Sequence, residues 1–187
     1  MPLPLHVSFV AGSSGVWRVD SAAPVVGEGL PTAERLAVLE GSTQSAVICD
    51  NSWVLRGVTS NTRYTNRVEV NTLVGSQAGL GRPEATRAAL IPIRKTATWW
   101  DLAQDERRAI FEEQSRHIGI GLEYLPEVAR RLHHSRELGE PFDFLTWFEF
   151  APEHADTFDH MVERLRKTPE WRYVEREVDI RLSRDLR

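Results

Sequence analysis

The sequence predicts an α+β fold whose C-terminal half runs β-α-β-β-α-β. Three observations lead there. Residues 173–182, "YVEREVDIRL", place Val174, Val178, Ile180 and Leu182 on one face and Glu175, Glu177, Asp179 and Arg181 on the other, the period of a half-buried strand. Residues 153–166 carry Ala155, Phe158, Val162 and Leu165 at helical spacing. Glu153 and Asp156 near the start of that helix, and Arg164, Arg166 and Lys167 near its end, match its macrodipole. Finally, "ARRLHHSR" (129–136) and "FDFLTWFEF" (142–150) read as strands joined by the turn "ELGEP". This order is the split βαβ, ferredoxin-like unit, which by itself specifies no activity.

The remaining elements follow in chain order. Residues 1–87 are rich in Gly, Ser, Thr and Asn, with short β-like runs at 5–10, around 16–19, at 45–50 and at 52–60. "PTAERLAVLEG" (31–41) reads as a short helix closed by Gly41. "GSQAGLGRPEA" (75–85) reads as a loop separating two halves, 1–87 and 88–187. "AALIPIR" (88–94) is a strand in which Pro92 predicts an edge or irregular position. A helix is expected from about Leu102 to Arg116, with Ile110, Gln114 and His117 on one face and Ala103 a heptad earlier.

Composition narrows the function. The 187 residues are 41% hydrophobic and 27% charged, with net charge −4. No basic excess exists to neutralise phosphates, so nucleic acid is not the expected partner. A lone cysteine, Cys49, gives no intrachain disulfide and no cysteine metal site. The N-terminus lacks a basic n-region, and no apolar window is long enough for a membrane span. The expectation is a soluble cytoplasmic protein. Its six tryptophans read as core fillers.

Three of the six histidines lie in "SRHIGIGLEYLPEVARRLHHSR" (115–136). A histidine on the buried side of a helix is ordinarily a core residue, but Gly119 and Gly121 follow His117 and permit close approach of a flat ligand. A neutral imidazole among apolar residues suits a haem iron, provided an acceptor holds its other nitrogen. His133 and His134 point to opposite faces of a strand and, flanked by arginines, read as exposed or interface residues.

Several segments carry a resemblance: "ATWWDL" (97–102), "HIGIGLEYLP" (117–126), "VARRLHHSRELGEPFDFLTWFEF" (128–150) and "TPEWRYVEREVDIRL" (168–182), with "VLRGVTSNTRYTNR" (54–67) more loosely. In these the chain resembles the chlorite dismutases, specifically their short, dimeric lineage. The resemblance implies two ferredoxin-like halves, the first reduced, forming an antiparallel barrel-like core with outer helices. It also implies haem b in the C-terminal half, a homodimer, and conversion of chlorite to chloride and dioxygen on ferric haem.

Position by position, His117 matches the proximal iron ligand and Glu170 the carboxylate accepting its Nδ1–H. Arg130 matches the distal arginine and Gln77 the glutamine that can hold it. Lys95, Trp99 and Tyr64 match positions near the haem propionates and edge, and Leu125 an apolar distal residue. Arg131 stays unassigned, since a one-residue slip would exchange it with Arg130. Apart from the resemblance, Glu170 reads as a surface carboxylate, Lys95 as a solvated strand-end lysine, Trp99 as packing and Arg130 as half of an ion pair. Related architectures suggest alternatives: a coproporphyrin-haem decarboxylase, a peroxidase-like protein, a haem-binding module, or a dimer without haem. Arg130 favours chlorite; Tyr64 suits either enzyme.

Overall fold

The computed structural model describes residues 4–41, 51–59, 66–76 and 79–185. The strands are β1 (His6–Gly12), β2 (Trp17–Val26), β3 (Arg35–Glu40), β4 (Asn51–Thr59), β5 (Arg87–Lys95), β6 (Ala129–His134), β7 (Phe144–Phe150) and β8 (Val174–Ser183). The helices are α1 (Arg67–Ser76), α2 (Ala97–Asp101), α3 (Gln104–Arg108), α4 (His117–Leu122) and α5 (Ala155–Arg166). The strands close an antiparallel barrel in the order β1-β3-β2-β8-β5-β7-β6-β4. Within it β8-β5-β7-β6 has the strand order of a ferredoxin-like unit, and β4-β1-β3-β2 repeats that order. The two quartets join at β2·β8 and β4·β6.

Alternation along β5 sorts the cores. Ala88 and Leu90 face the interior with Phe9, Leu36, Trp147 and Ile180. Ala89, Ile91 and Ile93 face outward, where Ile120 of α4 and Phe158, Met161 and Val162 of α5 cover them. The outer face of β8 is charged yet covered. Glu177 is fully buried and Asp179 nearly so, both ion-paired to Arg166 of α5 at 2.6 and 2.9 Å. Such carboxylates persist in a covered layer because each is hydrogen-bonded to a cation.

Four expectations need correction. Residues 35–40 form β3, not a helix: barrel pairing on both sides outweighs the helical propensity of Ala, Glu and Leu, and Gly41 (φ +97°) closes a strand. Residues 75–76 end a helix, α1, whose start is signalled by Asn66 and Glu69 capping each other's N–H at 2.9 and 2.8 Å. Pro92 is not at an edge, since β5 lies between two neighbours; of the two expected positions it takes the irregular one, where the pairs Leu90↔Ile180 and Ile93↔Glu177 skip it and demand no N–H. The helix expected over 102–116 starts at Gln104 as α3, widens into a π turn at Ala109–Gln114 and stops before His117. Arg116 then turns left-handed (φ 52°), so His117 opens a new helix and does not share a face with Ile110 and Gln114. The run at 45–50 lies outside the described residues. Among the described residues no helix is long and apolar enough to cross a membrane.

His133 and His134 are buried rather than exposed, at 0% and 7% accessibility. His134 packs edge-on to Phe144. His133 packs edge-on to Phe9, and its Nδ1–H donates to the Leu145 carbonyl (2.9 Å) while Nε2 accepts from Arg131 Nε (3.1 Å). Burial holds its pKa down to about 4. In the unfolded chain the ring takes a proton near 6.5, so the unfolded state binds more protons between those values and stability falls as pH drops through that window. We expect this ring to cost the fold about 3 kcal/mol between pH 7 and pH 4. Denaturant titrations should show His133→Asn losing correspondingly less than the native chain; parallel pH profiles would refute the assignment.

Candidate functional site

The end of β5 meets the turn before β8. Asp143, beside β7, accepts the backbone N–H of Lys95 at 2.7 Å and fixes that strand end. Thr96 then caps α2, which buries Trp99 completely under the Lys95 ammonium, 4.6 Å from the ring centroid. Pro169 opens the short 3-10 turn Pro169–Tyr173, bringing Glu170 inward, where its N–H donates to Ser115 Oγ (3.0 Å).

Glu170 is the hub. One carboxylate oxygen accepts from Lys95 Nζ at 2.6 Å and the other meets His117 Nδ1 at 2.6 Å. Burial opposes its charge, but His117 and Lys95 outweigh that and hold its pKa down at about 2. An ionised carboxylate only accepts, so His117 Nδ1 is the donor, and in the neutral ring it is Nε2 that carries the lone pair. The imidazole is half-buried, with Phe111 stacked at 4.3 Å and Trp171 at 6.3 Å. Trp171 is held in turn by Glu177, which accepts from its Nε1 at 2.7 Å. The result is a histidine with fixed tautomer and ring plane and one basic nitrogen to offer.

α4 presents that histidine. It has only six residues, and its first N–H groups need acceptors. Glu112 supplies them, taking the N–H of Ile118 (2.7 Å) and Gly119 (3.2 Å). Gly121 lies one turn after His117 on the same face. A Cβ there would collide with the Arg130 guanidinium. Arg130 stands on β6 opposite Phe148, on the outer face that α4 covers. Arginine and histidine therefore belong to the two walls of one layer. Burial pulls the Arg130 pKa down to about 10 against the opposing charge of Glu112, so the guanidinium stays cationic near neutrality.

The structure thus joins Lys95, Trp99, His117 and Glu170, and sets Arg130 across from the helix that carries His117. Lys95 is buried and committed to Glu170, not a solvated lysine. Leu125 is half-buried in the turn after α4. Tyr64 and Gln77 lie outside the described residues. Sequence reading missed Glu112, Ser115, Phe111 and Trp171; only Trp171 carried a signal, as the neighbour of Glu170. Among the described residues no three His, Cys, Asp or Glu side chains converge on a bare ion.

Residues 31–186 match the Chlorite dismutase family model. A chlorite dismutase of Ideonella dechloratans is 30% identical over 134 residues, covering 71% of this chain; the chain spans 45% of that relative's length. The crystal structure of dimeric chlorite dismutases from Nitrobacter winogradskyi superposes with a TM-score of 0.89 at 57% identity, covering 96% of this chain and 99% of that one. A mutant chlorite dismutase from Candidatus Nitrospira defluvii, 20% identical over 97% of this chain and 92% of its own, shares the fold with a TM-score of 0.72. With a barrel of this strand order and a family match running from the start of β3 past the end of β8, the chain belongs to the chlorite dismutase family.

Proposed function

We propose that this chain is a haem b enzyme that decomposes chlorite to chloride and dioxygen, acting as a homodimer. The observation that carries the reading is the buried Lys95–Glu170–His117 chain facing a wall that holds Arg130. The residues fit such a group. A single imidazole with Nδ1 anchored would offer one nitrogen to the iron, and Gly121 keeps a side chain off the helix face beside it, where the Arg130 guanidinium packs. The relative that this chain matches at 57% identity over nearly full length is a dimeric chlorite dismutase.

The overall change, ClO2⁻ to Cl⁻ and O2, balances without an added reductant. Haem iron, when bound, supplies the redox centre for oxygen transfer. The chain's own residues do the rest. Glu170 holds the Nδ1 proton and raises the basicity of Nε2. Lys95 balances the buried carboxylate, so we assign its role through Glu170 and not at a propionate. Arg130 attracts the small anion, which the net charge of −4 would otherwise repel, and keeps it oriented through its fixed fork of donors. Leu125 limits water beside it. Gln77 would hold Arg130, and Trp99 and Tyr64 would border the haem.

The test is an oxygen electrode. Purified haem-loaded protein should release one O2 per chlorite consumed as soon as chlorite is added. Absence of oxygen with haem bound would remove this reading in favour of the decarboxylase or haem-binding ones.

A further inference from the structure

Four strand ends meet at one rim of the barrel. The register sets Arg35 opposite Arg18 across β3·β2, Arg18 opposite Ser183 across β2·β8, and Ser183 opposite Arg87 across β8·β5. Directly opposed residues project from the same face of a sheet. Three guanidinium groups and one hydroxyl therefore form a row, and with Arg184 and Asp185 they line a cavity of about 250 Å3. Arg87 opens the strand that Lys95 closes, so β5 separates the rim from the histidine site by on the order of 27 Å of extended chain.

Like charges opposed across a sheet are destabilising, and this chain is acidic overall. Nearby groups cancel only part of the row. Asp20 takes Arg18 Nε at 3.0 Å and the Ser183 hydroxyl at 2.8 Å. Arg35 donates to the Gly15 carbonyl at 3.3 Å, a neutral acceptor. Arg184 donates to the carbonyls of Ala85 and Arg82 and lies 4.9 Å over the Trp17 ring, again without a countercharge. Arg87 forms no ion pair among the described residues. Four cations thus face two carboxylates, Asp20 on Arg18 and Asp185 in the lining.

We propose that this rim binds a phosphate-type polyanion, as free pyrophosphate or as the terminal diphosphate of a larger molecule. A singly charged anion would leave part of the row uncompensated. Guanidinium forks match paired phosphoryl oxygens. The cavity is smaller than a typical drug-sized pocket of roughly 300–1,000 Å3, which suits a compact, highly charged ligand.

Calorimetry of the haem-loaded protein with sodium pyrophosphate, at constant ionic strength against chloride, tests this. We expect saturable binding with a Kd below about 1 mM, weakened at least about tenfold in the Arg35→Gln/Arg87→Gln double variant, which loses two forks. Arg87→Lys, keeping charge without the fork, should fall between. Adenosine diphosphate as a second probe separates the sources: equal affinity identifies the diphosphate of a larger molecule, and much weaker affinity identifies free pyrophosphate. Equal pyrophosphate binding by the native chain and a folded double variant overturns the proposal. So does absence of native binding, including the case in which the double variant changes sedimentation because the row serves contact between copies. Haem content is read alongside and should be unchanged.

Discussion

Replacing His117 by alanine should abolish stable haem binding. No other described side chain beside Glu170 offers an imidazole: His133 and His134 are buried against Phe9 and Phe144, on another strand. The iron ligand assigned to His117 would therefore have no substitute. Loss of an outer-shell partner typically costs 10–100-fold in metal affinity, so loss of the ligand itself should cost more than about 100-fold. Glu170→Gln supplies the contrast. The amide still accepts from Nδ1–H, but it leaves Lys95 facing a neutral group in a buried place. It should weaken haem by about 10–100-fold and lower the basicity of Nε2 without removing it. Haem titration followed by the Soret band checks both, and added imidazole should restore part of the native spectrum in His117→Ala. A native-like spectrum and full occupancy in His117→Ala would remove His117 as the ligand.

Parts of this site were legible in the sequence because they depend on local pattern. The strands at 129–136, 142–150 and 173–182 and the helix at 153–166 reappear as β6, β7, β8 and α5 because each combines a clean period with turn or charge signals at its ends. What failed depended on contacts distant in sequence. β3 is a strand because β1 and β2 flank it, although its residues favour a helix. The break before His117 needs Glu112 to take the N–H groups of Ile118 and Gly119, a bond across the break that no periodicity reveals. His133 and His134 looked solvated beside arginines, yet barrel closure buries both. The neutral state of His133 rests on that burial, which outweighs the Leu145 carbonyl of the next strand.

The same division runs through the candidate site. His117, Glu170, Lys95 and Arg130 were named from family motifs, and the first three meet at hydrogen-bond distance. Spacing along the chain does not predict that Lys95 is spent on Glu170, because 75 residues separate them. Nor does it show that Trp171 is locked by Glu177, whose alternation marked it as an outer, polar residue. A strand face called polar was in truth covered by α5, with Arg166 supplying the countercharge.

Arg130→Ala should keep haem and lose turnover. The residue stands on β6, away from the Glu170 hydrogen bonds, so the axial ligand and its support remain. What disappears is the fixed positive charge in a covered layer, where low dielectric makes it worth more than in water. Removing one preorganised donor at such a position typically costs on the order of 10²–10³ in kcat. Haem should also bleach sooner, since the charge that would hold the anion in place is gone. Arg130→Lys keeps a charge but not the fork, and should lose less. Gly121→Ala separates charge from position: it leaves Arg130 intact, yet its new Cβ collides with the guanidinium and must move it. If placement matters as much as charge, Gly121→Ala should cost turnover while haem affinity stays within about tenfold of native, since only the donor is displaced. Oxygen release and the Soret decay during turnover measure both quantities. An Arg130→Ala protein with native rate and native lifetime would show that the anion is held elsewhere.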